Sequence, residues 1–175
     1  VAAHGDLMND LARRSFELLG RPAPTTLPGP MLAGVFSATG YVDAALGVRL
    51  ALPPTWQFLP REEPSVIAAR HRFQPWLAHL RAVSVPERVG LERLVSMYWE
   101  GSFQEQTYQA PIRRGAGSTG SWTTETVTTT GGVYTETLFV LRPGTLWVLS
   151  LTTTTDQRAA ATSDFGAIAE EFTLF

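Results

Sequence analysis

The side chains of this chain that are best suited to metal chemistry are two histidines, His71 and His79. Both fall in neighbouring stretches that alternate apolar and polar residues, which predicts that they lie on adjacent strands. Two imidazoles and a nearby carboxylate, such as Glu62 or Glu63, could bind zinc or a similar cation. A pair of histidines is not a complete ligand set, so His71 and His79 are candidate metal-binding residues and no cofactor is predicted.

A second set of residues suits a contact with another protein. Arg113 and Arg114 open a glycine-containing stretch, residues 113–120, which is predicted to be a loop, and Trp122 follows it. Tryptophan and arginine carry much of the binding energy at protein interfaces. Arg113, Arg114 and Trp122 are therefore the candidate partner-binding residues.

The same stretch contains two motifs that also occur in enzymes. Gly115, Gly117 and Gly120 satisfy the spacing GxGxxG, and Ser118 stands in a degenerate nucleophile-elbow pattern. Both motifs need a turn from a strand into a helix, but a threonine-rich strand is predicted to follow here. No catalytic residue is predicted, and binding is favoured over catalysis. Catalytic groups converge in space rather than in sequence, so an enzyme remains the alternative.

Composition sets the class of protein. The chain has 175 residues, a net charge of −2 and no cysteine. This length suits a single stable core. The charge provides no general attraction to nucleic acid or to anionic lipid, and the lack of cysteine excludes disulfides and thiolate metal sites. All fourteen basic residues are arginine, which indicates a GC-rich bacterial genome.

Localisation is left open by the sequence. No apolar stretch is long enough to span a bilayer, and no basic segment followed by an apolar one resembles a leader. The chain begins with Val1 rather than methionine, so a leader or membrane anchor could have been removed. Both the bacterial cytoplasm and export after removal of a leader are compatible with these observations.

The N-terminal part of the chain differs from the rest. Residues 6–19 are predicted to form a helix with Leu7, Leu11 and Leu18 on one apolar stripe. Residues 21–30 contain four prolines and are predicted to be an extended connector. We therefore expect residues 1–30 to be a helix and connector, and residues 31–175 to be one domain. The helix could contact a partner, but its apolar stripe favours packing on the domain.

The domain is predicted to contain few helices and many strands. Ser84 and Glu87 have the spacing of a capping box, and Pro86 suits the first turn of a helix. Glycine and proline pairs separate three consecutive strands near the C-terminus. The predicted strands are 31–39, 66–73, 76–85, 103–112, 122–130, 133–141 and 145–154, and the last helix is 157–171. This order predicts an α+β fold with an antiparallel sheet.

The stretch from Tyr41 to Leu59 contains the most regular pattern. Val48, Leu50 and Leu52 alternate with small or charged residues, as in a strand with one buried face. Pro53 and Pro54 end that strand because proline cannot donate a backbone hydrogen bond. A second short strand is predicted at Trp56 and Phe58.

This stretch resembles the Mog1/PsbP-like family, including its bacterial DUF1795 branch. In that family an aromatic-x-Asp segment leads into a glycine-hydrophobic strand and a Pro-x-x-Trp corner, which here are Tyr41, Asp43, Gly47 and the segment from Pro53 to Trp56. The resemblance covers about residues 41–175. It implies an α/β/α sandwich with an antiparallel sheet of about six to seven strands.

The resemblance also implies a function. Relatives serve as a small-GTPase regulator, a photosystem subunit, and chaperones or adaptors of bacterial secretion. We therefore expect a non-enzymatic protein-binding or accessory domain of a bacterial protein. The alternatives are a small-molecule or metal-dependent site between sheet and helices, possible with His71, His79 and a carboxylate, and an exported, envelope-associated domain.

Overall fold

The computed structural model describes residues 34–60, 65–102, 106–108, 113–115, 121–128 and 132–175, with side chains described up to Met97 and again from Gly132. Within these residues the strands divide between two antiparallel sheets. The small sheet has the order β1-β2-β3-β12, with β1 at Val35–Phe36, β2 at Gly40–Asp43, β3 at Val48–Ala51 and β12 at Thr173–Leu174.

The large sheet contains the remaining described strands. Its order is β4-β5-β6-β11-β10-β9-β7, and β8 also pairs with β9. The strands are β4 Trp56–Phe58, β5 Ile67–His71, β6 Leu77–Ser84, β7 Gln106–Tyr108, β8 Arg113–Gly115, β9 Ser121–Thr128, β10 Val133–Arg142 and β11 Thr145–Thr154.

A proline corner carries the chain from one sheet to the other. Pro53 and Pro54 follow β3, and the carbonyl of Pro53 accepts a hydrogen bond from the backbone N–H of Trp56. The missing N–H groups of the two prolines end the β3 ladder, and the chain then enters β4 at the edge of the large sheet.

The two helices of the described chain lie on opposite faces of the large sheet. Helix α1, Leu91–Ser102, packs Leu94 and Met97 against Phe139 and Val148. Helix α2, Arg158–Glu170, follows a 3₁₀ turn and packs Phe165 and Ile168 with the other face of the large sheet. The inner face of the small sheet joins this second core. The arrangement is an α+β sandwich with helices on both faces, which confirms the predicted fold class.

Several details differ from the sequence predictions. The described strands form two sheets, where a single sheet of about six to seven strands was predicted. Helix α1 begins at Leu91 rather than at Pro86: β6 ends at Ser84, and the chain makes a turn at Glu87 and Arg88 before the helix begins. The stretch Arg113–Gly115, predicted as a loop, pairs with β9 as a strand. Strand β12 was not predicted. The helix predicted at residues 6–19 lies outside the described residues. Residues 61–64, which include Glu62 and Glu63, also lie outside them.

Among the described residues, no helix combines the length and the apolar character needed to cross a bilayer.

Candidate functional site

The outer face of the small sheet is an exposed apolar surface. Side chains alternate along β2 and β3, so Tyr41 and Val48 are buried inward while Val42 and Arg49 point outward. The register places Val35, Val42, Arg49 and Thr173 in one row across the sheet. Val35 is 72% exposed and Val42 is 42% exposed. Two exposed valines are therefore neighbours on this face, beside the polar side chains of Arg49 and Thr173.

An open groove of about 840 Å³ runs over this face, and we call it the small-sheet groove. Its described lining includes Val35, Val42, Ala51, Phe175 and Arg49, but no aspartate or glutamate side chain. Phe175 is 68% exposed. Arg49 makes no ion pair within the described part of the chain. The groove therefore offers apolar contacts and one cationic hydrogen-bond donor.

The hairpin that forms the groove is held by a buried carboxylate. Asp43 is fully buried, and its Oδ2 accepts a hydrogen bond of 2.9 Å from the Tyr41 hydroxyl. Its Oδ1 accepts the backbone N–H groups of Ala45 and Leu46 at 2.9 and 3.0 Å. The aromatic-x-Asp motif thus has a structural role, because it orders the turn between β2 and β3.

The C-terminus completes the groove. The backbone N–H of Phe175 donates to the carbonyl of Gly47 at 2.9 Å, and β12 pairs with β3. Gly47 has a φ of 62° and faces the Phe175 carbonyl so closely that a Cβ would clash with it. Glycine is required at this position for both reasons, and Phe175 is one of the residues that line the groove.

A separate polar cluster lies at the seam between the large sheet and α2. His71 Nδ1 accepts the backbone N–H of Phe73 at 3.2 Å, and His71 Nε2 lies 3.9 Å from Asp164 Oδ2. Trp56 Nε1 donates to the same carboxylate oxygen at 2.8 Å. In a neutral imidazole with this arrangement, the proton is carried by Nε2 and faces Asp164.

Aromatic rings surround His71 in this cluster. The imidazole lies 4.8 Å from the ring of Trp76 and 5.5 Å from the ring of Trp56, measured between centroids. Trp76 Nε1 donates to the Gln157 side chain just before α2. Both indoles therefore join the edge of the large sheet to the helix, and we call this group the His71–Asp164 seam.

The structure does not bring His71 and His79 together. The register pairs His79 with Ala68, three residues before His71 on β5, so the two histidines project from opposite faces of the sheet. His79 Nδ1 lies 3.2 Å from the Ser65 hydroxyl, to which the buried Arg81 donates at 3.5 Å. Among the described residues there is no group of three histidines or carboxylates placed to bind a metal.

The predicted partner-binding residues lie near one another along the backbone. Arg114 is the register partner of Trp122, and Arg113 pairs with Thr123. Their side chains are outside the described part of the structure, so their role stays a prediction. The groove residues were missed by the sequence reasoning, although the alternation that buried Val48 and Leu50 also predicts that Arg49 is exposed. No signal in the sequence pointed to Asp164.

Comparison with known proteins gives no match in sequence, because no family model and no curated protein matches the chain. Solved structures do match. Cyanobacterial PsbP (CyanoP) from Synechocystis sp. PCC 6803 has a TM-score of 0.61 at 16% identity, over 84% of this chain and 100% of that chain. LpqN of Mycobacterium tuberculosis, which is involved in cell envelope biogenesis, has a TM-score of 0.56 at 13% identity, over 73% of this chain and 82% of that chain. The protein therefore has the Mog1/PsbP-like fold that its Tyr41-to-Trp56 stretch predicted.

Proposed function

We propose that this protein is a non-enzymatic accessory domain of a bacterial protein that binds a protein partner through the small-sheet groove. The observation that carries the proposal is the exposed row of Val35 and Val42 beside Arg49 and Phe175. Accessory roles such as chaperone or adaptor are compatible with it. The fold alone does not select among such roles, because one fold serves many functions.

The chemistry of the groove describes the partner. Covering Val35, Val42 and Phe175 removes apolar surface from water, at about 25 cal/mol for each Å². Arg49 would bind a carboxylate as a planar fork of donors, and such pairs are strong and directional. The fitting partner is therefore a protein segment that presents apolar side chains around one aspartate or glutamate.

Val42→Glu is expected to lower recovery of the partner by about tenfold or more, because it places a charge in the apolar row and repels the carboxylate that Arg49 would bind. The measurement is a cross-linked pull-down of the full-length tagged protein from its own host, quantified by mass spectrometry. Leu77→Glu is the matched control, since Leu77 on the large sheet is 40% exposed, close to the 42% of Val42.

Equal recovery with Val42→Glu and Leu77→Glu would contradict the groove as the binding surface. Recovery of no stoichiometric partner by the unaltered protein would contradict a binding function itself. An Arg114→Glu variant in the same experiment tests the surface of Arg113, Arg114 and Trp122. If only Arg114→Glu reduced recovery, the partner would bind at β8 and β9 instead of the groove.

The alternative function predicted from the sequence, a metal site between sheet and helix, would have to use the His71–Asp164 seam, where the described residues bring together one imidazole and one carboxylate. For this candidate, we expect Zn²⁺ to raise the Tm of the unaltered protein but not of His71→Ala, because His71 Nε2 lies 3.9 Å from the Asp164 carboxylate. The Tm increase should be smaller at pH 6 than at pH 7.5, since protons compete with the metal for imidazole. A thermal shift assay checks this, and no increase in the unaltered protein would eliminate the candidate.

A further inference from the structure

We infer that two copies of this protein pair through strand β1, Val35–Phe36, which joins their small sheets edge to edge in an antiparallel register around a twofold axis. This pairing goes beyond the proposed function, because it uses the edge of the small sheet and needs no partner protein. The direction of the backbone groups of β1, its exposed apolar side chains and the protection of the opposite edge support it.

The backbone groups of Phe36 point away from β2. The N–H of Ser37 donates to the carbonyl of Gly40 at 2.7 Å. Hydrogen-bonded and non-hydrogen-bonded pairs alternate in an antiparallel ladder, so Phe36 and Tyr41 form a non-hydrogen-bonded pair. The N–H and C=O of Phe36 therefore face outward, and by the same alternation so do those of Gly34. Within the described part of the chain, no strand pairs with this side of β1.

The side chains at this edge are apolar and exposed. Val35 on the outer face is 72% exposed, and Phe36 on the inner face is 47% exposed although its ring contacts Tyr41 and Phe58. Proteins commonly protect a free edge with a charge, a proline or a bulge. Residues 34–37 contain no charged residue and no proline. A strand added to β1 would cover Val35 and Phe36 together.

The opposite edge of the small sheet is protected. Because the N–H of Phe175 bonds to Gly47, the carbonyl of the neighbouring Leu174 points away from β3. Arg142 Nη2 donates to this carbonyl at 3.0 Å, so a charged side chain occupies the edge at β12. Pairing through β1 uses the same surface of both copies. It therefore closes at a dimer and does not continue into a fibre.

Strand β1 is complementary to a second copy of itself. With the twofold axis at Val35, Phe36 of each copy lies opposite Gly34 of the other, and each such pair exchanges both backbone hydrogen bonds. Gly34 has no side chain, so it leaves room for the Phe36 ring of the second copy. The two Val35 residues form a non-hydrogen-bonded pair on the outer face, with Cα atoms about 4.5 Å apart.

Charge and contact area set the strength of this dimer. Five strand spacings separate the Arg49 residues of the two copies, about 24 Å, which exceeds the Debye length of about 10 Å. Their repulsion is therefore small. A short edge buries much less than the roughly 1,600 Å² of a standard interface, so we expect a weak dimer with a Kd on the order of 100 µM. The outer faces stay open, and each copy keeps its small-sheet groove.

The absence of cysteine from the chain allows a direct test in the full-length protein. Val35→Cys places two thiols across the twofold axis, at a Cα separation that a disulfide accepts. Phe73→Cys is the matched control, because Phe73 is 78% exposed but lies between β5 and β6 on the large sheet. Each protein is oxidised mildly near the expected Kd, and the disulfide between chains is measured by mass spectrometry. We expect it to form at least about fivefold faster in Val35→Cys, because pairing raises the local concentration of the two thiols.

Sedimentation equilibrium tests the same contact without oxidation. The average mass of the unaltered protein is expected to rise from that of a monomer towards that of a dimer as its concentration passes the Kd. Val35→Lys should remain a monomer, because like charges directly opposite each other across two strands repel. Phe73→Lys should associate as the unaltered protein does.

Equal disulfide rates for Val35→Cys and Phe73→Cys would overturn the inference, as would a constant monomer mass of the unaltered protein. If Val42→Lys abolished association and Val35→Lys did not, the copies would meet through their outer faces, which also contradicts edge pairing. Neither experiment contains a partner, so both are independent of the pull-down. A dimer at β1 together with an unsuccessful pull-down would support the inference and contradict the proposed function.

Discussion

Trp56→Ala is expected to lower the free energy of unfolding by about 4 kcal/mol, the range typical of removing a large buried aromatic side chain. Trp56 is 1% exposed and contacts the rings of His71 and Trp76. It also donates its indole N–H to Asp164 on α2. The change leaves a cavity in the core between the two sheets and deprives the carboxylate of a donor. Urea unfolding followed by far-UV circular dichroism measures the loss without relying on tryptophan fluorescence.

Two phenylalanine variants separate the hydrogen bond from the packing. Trp56→Phe removes the donor to the charged Asp164 and is expected to lower the free energy of unfolding by about 2 kcal/mol. Trp76→Phe removes the donor to the neutral Gln157 and is expected to lower it by about 1 kcal/mol. Both keep an aromatic ring in place. Equal losses would show that the charge of Asp164 does not strengthen its bond to Trp56.

Asp43→Ala is expected to lower the free energy of unfolding by about 3 kcal/mol, because hydrogen bonds to a buried charged group contribute about 1.5–3 kcal/mol each and several are lost together. The carboxylate accepts from the Tyr41 hydroxyl and from the backbone of Ala45 and Leu46. Removing it leaves these donors without their acceptor in the turn that supports the small-sheet groove. The shift of the urea midpoint at an unchanged m-value measures the effect.

Tyr41→Phe and Glu87→Ala are control variants for this prediction. Tyr41→Phe removes a single donor and should lower the free energy of unfolding by about 1 kcal/mol. Glu87 is an exposed carboxylate in a turn, so its replacement should change stability by less than about 0.5 kcal/mol. If Asp43→Ala were no more destabilising than Tyr41→Phe, the backbone bonds of Ala45 and Leu46 would not depend on the carboxylate.

These two residues show how far a local motif can be interpreted. The stretch that contains Asp43 and Trp56 predicted a hairpin, a corner and a further strand, and the structure has all three. What the motif could not show is what each side chain binds. Asp43 binds groups within three residues of itself, so its role follows from local geometry. Trp56 binds Asp164, which is 108 residues away, and no local pattern reports such a contact.

The two histidines also show that a local sequence pattern does not report contacts between distant segments. Adjacent strands were predicted for His71 and His79 and are present. The metal hypothesis also needed both imidazoles on one face, which depends on how the hairpin between β5 and β6 is paired. A shift of one residue in register moves every side chain of a strand to the other face. The observed pairing of Ala68 with His79 separates the two imidazoles, and the fold brings Asp164 to His71 instead.

By itself, the sequence determined the strands and turns of this protein that depend on short-range chemistry. Alternating side chains defined β3, and Gly144, which adopts a positive φ, defined the turn before β11. Only the tertiary structure decided that the strands form two sheets, that β12 closes the small sheet, and that Val42 and Arg49 line a groove beside Phe175. The physical reason is that alternation and turn conformation are set by neighbouring residues. Sheet order and the seam at Asp164 depend instead on contacts between distant segments, which many orders of the same strands could satisfy.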